Sequence, residues 1–299
     1  MDERVLDAQR WVNTTYSGIA GYERCPEDGK TNWATMYSLT EGLQHELGIQ
    51  ELSHAFGPTT MSKVDARGGV GPGERNKNIV NIIKCAFYCK GYPGGNLDGI
   101  WKSSPSFGPQ QDAVAGSLYA MTDNMGIGRQ DRLNAKLFKA LLTMDAYVLV
   151  SGGDPEIRKI QQWLNGRYWR RSFATLIPTE GHYSRDVQKL LMKALQCEFG
   201  IADASVNGNF GPATRQQLAA HSLKPGDSGV LVELLSAACV FNGAVPSGEG
   251  MVHTVFKHEF DDKLASYIRA FQAFSLLPVT NRVDYATWCQ LLVSTGDPN

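Results

Sequence analysis

The chain has no apolar run approaching the ~18 residues that a membrane-spanning helix needs. It has no excess of either charge. Twenty-nine Lys and Arg stand against 30 Asp and Glu, giving a formal net charge of -1. The basic residues are scattered and form no stripe, so a nucleic-acid partner is not expected. Six cysteines are too few for a scaffold built on disulfides. The opening residues, MDERVLDAQRW, lack the basic and apolar regions of a signal peptide. No convincing alternating run is present, so few strands are expected.

Catalytic motifs are missing too. His45-Glu46 and His258-Glu259 have Ile49 and Asp262 where a second zinc-binding His would stand. GAVPSGE (243–249) imitates a phosphate loop but has Glu in place of the Lys. GGVGPG (68–73) contains Pro and follows no strand, so it reads as a loop. Gly-x-Ser-x-Gly does not occur. The 30 acidic residues supply many carboxylate pairs, none in a context that would raise one pKa. No catalytic residue, metal or cofactor is therefore expected.

What is present is a folded composition, 42 % hydrophobic and 20 % charged, on a chain long enough for two or more domains. The chain repeats itself. Gln9, Trp11, Asn13 and Tyr16 fall on Gln161, Trp163, Asn165 and Tyr168. LQHELGI (43–49) falls on LQCEFGI (195–201), and FGPTT (56–60) on FGPAT (210–214). Each half also looks doubled, with a helix, a Gly-rich turn and a second helix recurring. Four modules are expected: 1–76, 77–150, 151–225 and 226–299.

The period is helical. Val187, Leu190, Leu191, Ala194 and Leu195 make one buried face, and Leu264, Tyr267, Ile268, Phe271 and Phe274 make another. Ser228 is placed to cap the helix after it. Phe-Gly-Pro occurs at 56–58, 107–109 and 210–212. It reads as punctuation: Pro at the first helical position, Gly for a sharp turn, Phe dropping into the core.

The fourth copy opens at Gly226 to Gly229 with Gly-Asp-Ser-Gly, carries Phe271-Gln272 in its middle helix, and ends on Thr287-Trp288 before Leu291-Leu292. In these residues it resembles the peptidoglycan-binding module of cell-wall hydrolases. The third copy adds that family's G-x-F-G-x-x-T turn (208–214), and the second carries LDGI (97–100). The leading AQRWVN and IQQWLN helices are similar to the N-terminal region of actinobacterial secreted proteins in which a glycoside-hydrolase-like barrel follows. The resemblance implies an all-α fold of tandem three-helix modules, arranged as a duplicated pair. Its implied partner is bacterial peptidoglycan, held in a shallow groove. Phe-Gln is absent from the first three copies, which points to the second half as the working one.

Sugars are held by aromatic faces with a few fixed polar groups. Three loops combine these: KGYPGGNLDGIW with Tyr92, Asp98 and Trp101, NGRYWRRSF with Trp169 and Arg170, and VNGNFGPATRQ with Asn207, Asn209 and Arg215. The arginines also suit peptide carboxylates. Outside the cell, Cys25 would pair with Cys85 or Cys89; otherwise the cysteines are small core residues. The expectation is an extracellular or wall-associated, non-catalytic region that targets an attached or partner effector to the wall. A peptidoglycan hydrolase of endolysin type and a structural spacer are the alternatives.

Overall fold

The computed structural model describes residues 1–102 and 112–294, so the Phe-Gly-Pro at 107–109 lies outside the described residues. The chain divides into two compact units, Met1–Tyr147 and Val148–Asn299. The fold is all-α: the described residues hold twelve α-helices, one short 3-10 turn and one two-stranded hairpin.

The first unit contains α1 (Glu3–Tyr16), α2 (Trp33–Glu46), α3 (Pro58–Ala66), α4 (Lys77–Cys89), α5 (Ala113–Asn124) and α6 (Ala135–Leu141). Helix α4 is apolar nearly all round, with Ile79 to Tyr88 buried. A helix of that kind must be wrapped by others, and α1, α2, α5 and α6 pack on it. Its one buried ammonium, Lys84, is paired with Asp98 and donates to Asn96 O at 2.7 Å, as a buried charge requires.

The second unit contains α7 (Pro155–Tyr168), α8 (Arg185–Glu198), a 3-10 turn (Asp203–Ser205), α9 (Pro212–Ala220), α10 (Val230–Asn242), β1 (Val245–Ser247), β2 (Gly250–Val252), α11 (Asp262–Phe274) and α12 (Tyr285–Ser294). Here α10 is the enclosed helix, packed on α7, α8 and α12. The strands pair antiparallel, Val245 opposite Val252. One apolar cluster runs from Ile160 on α7 to Leu292 on α12. An antiparallel bridge, Leu223 to Val283, ties the segment before α10 to the segment before α12. Val70 and Leu133 make the same bridge in the first unit.

Two turn expectations need adjustment. Ser228 does not cap α10; the cap position is Gly229, with φ 99° and no side-chain cap bond. Ser228 is instead held in a bridge to Glu259, and the turn that follows needs a backbone favourable only for Gly. In the described Phe-Gly-Pro segments, Pro58 and Pro212 do open α3 and α9. But Gly57 and Gly211 have ordinary extended backbones, φ -85° and -88°, so no left-handed turn explains them. Phe56 is buried against Phe138 of α6, ring centroids 6.2 Å apart.

Candidate functional site

The polar residues on the first helix of each unit are explained by the loops they hold. Gln9 and Asn13, four apart on α1, are both buried. Gln9 accepts from Asp28 N (3.0 Å) and Gly29 N (2.8 Å) and donates to Lys30 O (3.0 Å). Asn13 pairs with both backbone groups of Cys25, at 3.1 and 2.9 Å. On α7, Gln161 binds Gly181 N (2.9 Å) and His182 O (2.8 Å), while Asn165 pairs with both groups of Ile177 at 3.0 and 2.9 Å. Each amide stands in for a strand of backbone and satisfies loop peptide groups that would otherwise be unpaired. Tyr16 and Tyr168, one turn further, donate to Glu46 (3.0 Å) and Glu198 (2.8 Å).

A second clamp recurs at the end of α2, α8 and α11. Gln196 accepts from Asn207 N (3.1 Å) and Gly208 N (2.9 Å) and donates to Asn209 O (2.9 Å) and Thr214 Oγ1 (3.0 Å). Gln44 accepts from Ser53 N (2.8 Å) and donates to Ala55 O (2.9 Å) and Thr60 Oγ1 (3.3 Å). Gln272 accepts from Thr280 N (3.1 Å) and donates to Arg282 O (2.8 Å) and Thr287 Oγ1 (3.0 Å). All three glutamines are buried. The glutamine of the Phe-Gln pair is thus present in the first and third copies, preceded there by Leu43 and Leu195. The signal in the sequence was a Gln lying 16, 18 or 15 residues before a Thr in the first turn of the next helix. In α5, Thr122 stands at the corresponding place and turns its hydroxyl back to Leu118 O.

The clamped turns carry the candidate surface. In the second unit, Asn207, Asn209 and Arg215 are gathered on the turn that Gln196 holds, all exposed. Asn207 Oδ1 accepts from Asn209 N (2.8 Å) and from Gln196 Nε2 (3.3 Å), which fixes its side chain on the turn. The Arg215 guanidinium lies over the Phe210 ring at 5.0 Å. Gly211 caps α9 with no side-chain hydrogen bond, so the first-turn N–H groups and Arg215 present positive charge together. In the first unit the equivalent turn borders a cavity of about 260 Å³, lined by Gln44, Glu51, Ser53, Thr59 and neighbours.

The other candidates are placed differently. Trp169 is buried beneath Arg170, whose guanidinium lies 5.3 Å from the ring centre and is exposed. Trp101 is buried in the first unit. Tyr92 packs edge-on to Phe87 and accepts from Asn124 Nδ2 at 3.3 Å. Asp98 is exposed; partial burial opposes its charge, but Lys84 and the Ile100 N–H outweigh that and hold its carboxyl below the usual value. Cys25, Cys85 and Cys89 are present as thiols, and burial pushes all three up, Cys89 to about 12. Among the described residues no cluster of His, Cys, Asp and Glu could hold a metal ion, and no helix is long and apolar enough to cross a membrane.

Residues 150–292, which include the Gln196 turn, match the family described as FadG/YbfG, PGDB-like domain. This is a peptidoglycan-binding-like fold. The chain as a whole is similar to the uncharacterized protein FadG of Bacillus subtilis (strain 168), 42% identical over 302 residues, covering 100% of this chain and 50% of FadG. It is also similar to the uncharacterized protein YbfG of the same organism, 38% identical over 299 residues, 99% of this chain and 38% of YbfG. The chain therefore spans half or less of the length of these curated relatives. No solved structure matches it.

Proposed function

We propose that this chain is a non-catalytic wall-binding region that holds an attached or partner effector on peptidoglycan, acting outside the cell or within its wall. The observation that carries this is the Gln196-clamped turn. It lies within the residues that match the peptidoglycan-binding-like domain, and it sets two exposed asparagines beside Arg215 at a helix N-terminus. Amide groups suit sugar hydroxyls and acetamides, and the cationic end suits stem-peptide carboxylates. Repeated weak sites on one chain would raise avidity where they engage together.

The test is sedimentation with purified sacculi, paired with a turbidity assay. Binding without clearing is the expected result. Clearing would assign a hydrolase instead. No binding by the folded chain would leave a structural spacer or regulatory module.

A further inference from the structure

One stripe of α2, exposed at Trp33 and buried at Glu41, is unlike its counterpart on α8. Trp33, Tyr37 and Glu41 follow one another at helical spacing along it. Arg185, Lys189 and Lys193 hold the corresponding places on α8, by the same register that matches 43–49 to 195–201. One face is aromatic and acidic, the other basic.

The loop after α2 completes the first of these. His54 stacks on Tyr37 with ring centres 4.2 Å apart and planes 2° from parallel. Tyr37 stacks in turn on Trp33, at 5.7 Å and 26°. Three rings thus lie in a row, and the terminal one, Trp33, is 51% exposed. Beside the row, His54 Nε2 is 3.2 Å from Glu23 Oε2 and 3.3 Å from Glu41 Oε1. Glu41 is buried, and its Oε2 accepts from Glu23 N at 2.7 Å. Burial raises the Glu41 carboxyl, while the Glu23 N–H and His54 act against that rise. Glu23 is exposed. Core packing does not call for this arrangement: an exposed Trp at one end of a ring stack, with two carboxyls at the His54 end, has the parts of a site for a ring-shaped, donor-rich ligand.

Resting on the peptidoglycan reading, we infer that Trp33, Tyr37, His54, Glu23 and Glu41 form a glycan subsite in the first unit, selective for a sugar that carries a free amino group over its N-acetylated form. A glycan lying along the row sets one sugar's apolar face on Trp33 and directs the ammonium of a neighbouring sugar to the exposed Glu23 carboxylate beside His54. Charge complementarity makes the choice. The exposed Glu23 carboxylate attracts a cation, whereas an acetamide brings a neutral group and a carbonyl acceptor toward its oxygens. The basic counterpart on α8 cannot offer this.

The experiment is calorimetric titration of the whole chain with three probes: a glucosamine trimer, an N-acetylglucosamine trimer and a lysine-containing stem tetrapeptide. The glucosamine trimer should bind about tenfold more tightly than the acetylated one. Trp33→Ala should weaken it by about tenfold or more, and Glu23→Gln, at an exposed side chain, should bring the two trimers within about twofold of each other. Thermal melts establish that both variants are folded. Equal or reversed preference in the binding that Trp33→Ala removes overturns the inference, as does a folded Trp33→Ala protein with unchanged affinity for the glucosamine trimer, or tetrapeptide binding that Trp33→Ala weakens as much as it weakens the amino trimer. Sacculus binding is measured on the same proteins. A chain that binds sacculi but neither trimer loses this subsite and keeps the wider reading; a chain that binds no sacculi loses the wider reading.

Discussion

The side-chain amide of Gln196 donates to the hydroxyl of Thr214 at 3.0 Å and so fastens the end of α8 to the first turn of α9. The same amide accepts from two loop N–H groups. Gln196→Ala should therefore destabilise the second unit by about 1–3 kcal/mol, the usual cost of stranding buried partners. Urea unfolding measures it. It should also weaken sacculus binding, because Asn207 and Asn209 lose their fixed geometry. A variant of unchanged stability would show that water replaces the clamp at no cost.

Arg215 lies on the exposed side of that turn, with its guanidinium over Phe210. Arg215→Ala should leave the thermal midpoint nearly unchanged and lower sacculus affinity by ~1–3 kcal/mol, roughly five- to a hundredfold. The second half of the chain should bind better than the first. Sedimentation with 1–147 and 148–299 separately checks this, and the reverse order would move the working site to the first unit.

The proposed module boundary near residue 225 makes a stability claim. A fragment of ~75 residues buries only about 60 % of its surface. Within the second unit, α7 and α8 rest on α10, and α9 rests on α12. The fragment 151–225 loses Val232, Leu235, Trp288 and Leu291 from its core. It should melt broadly, without a cooperative transition in calorimetry. A sharp transition would make the module, and not the pair, the folding unit.

Lys90 gives a pH signature. Burial, opposed in part by Asp145 and Cys89, pulls its ammonium from the usual 10.5 to about 8. Its charge also faces the Tyr147 ring at 5.4 Å. Between pH 8 and 10.5 the unfolded chain binds this proton and the folded chain does not, so stability rises with pH across that window. Below pH 8 both states are protonated, and this contribution to the slope disappears. Lys90→Met should flatten the rise in urea midpoints measured from pH 8 to 10.

The cysteines test the compartment. Cys25 Sγ is 3.7 Å from Asn13 Oδ1, inside the loop that Gln9 and Asn13 hold. If the protein works outside the cell, Cys25 should be found joined to Cys85 or Cys89. Closing that loop of ~60 residues would stabilise the unit by about 4 kcal/mol in the chain-entropy account. Mass spectrometry without reductant, on protein recovered from an oxidising compartment, reads the answer. Free thiols at all three positions would overturn the pairing. Their raised pKa values keep them slow to react as thiolates.

The helical class was legible in the chain because a buried face repeats every 3.6 residues; α8 shows it plainly, and α11 shows it from Leu264 to Phe271, while Phe274, expected on the same face, is exposed at the helix end. The internal repeat was legible for a related reason: Gln9 and Gln161, or Tyr16 and Tyr168, do the same physical work in the same local setting. Proline at the start of α3 and α9 followed from its fixed φ and missing N–H. These are all local matters, decided within a few residues of chain. Which loop a buried amide fastens is not local. Nothing near Gln196 in the sequence names Thr214 as its partner; the path of the chain between them does. The same holds for the aromatic row, where Tyr37 meets His54 only because the loop after α2 folds back over the helix. Burial of Trp101 and exposure of Trp33 were likewise settled by packing. A tryptophan's sequence neighbours fix its helix position, but which face the rest of the protein covers is decided by contacts between distant segments.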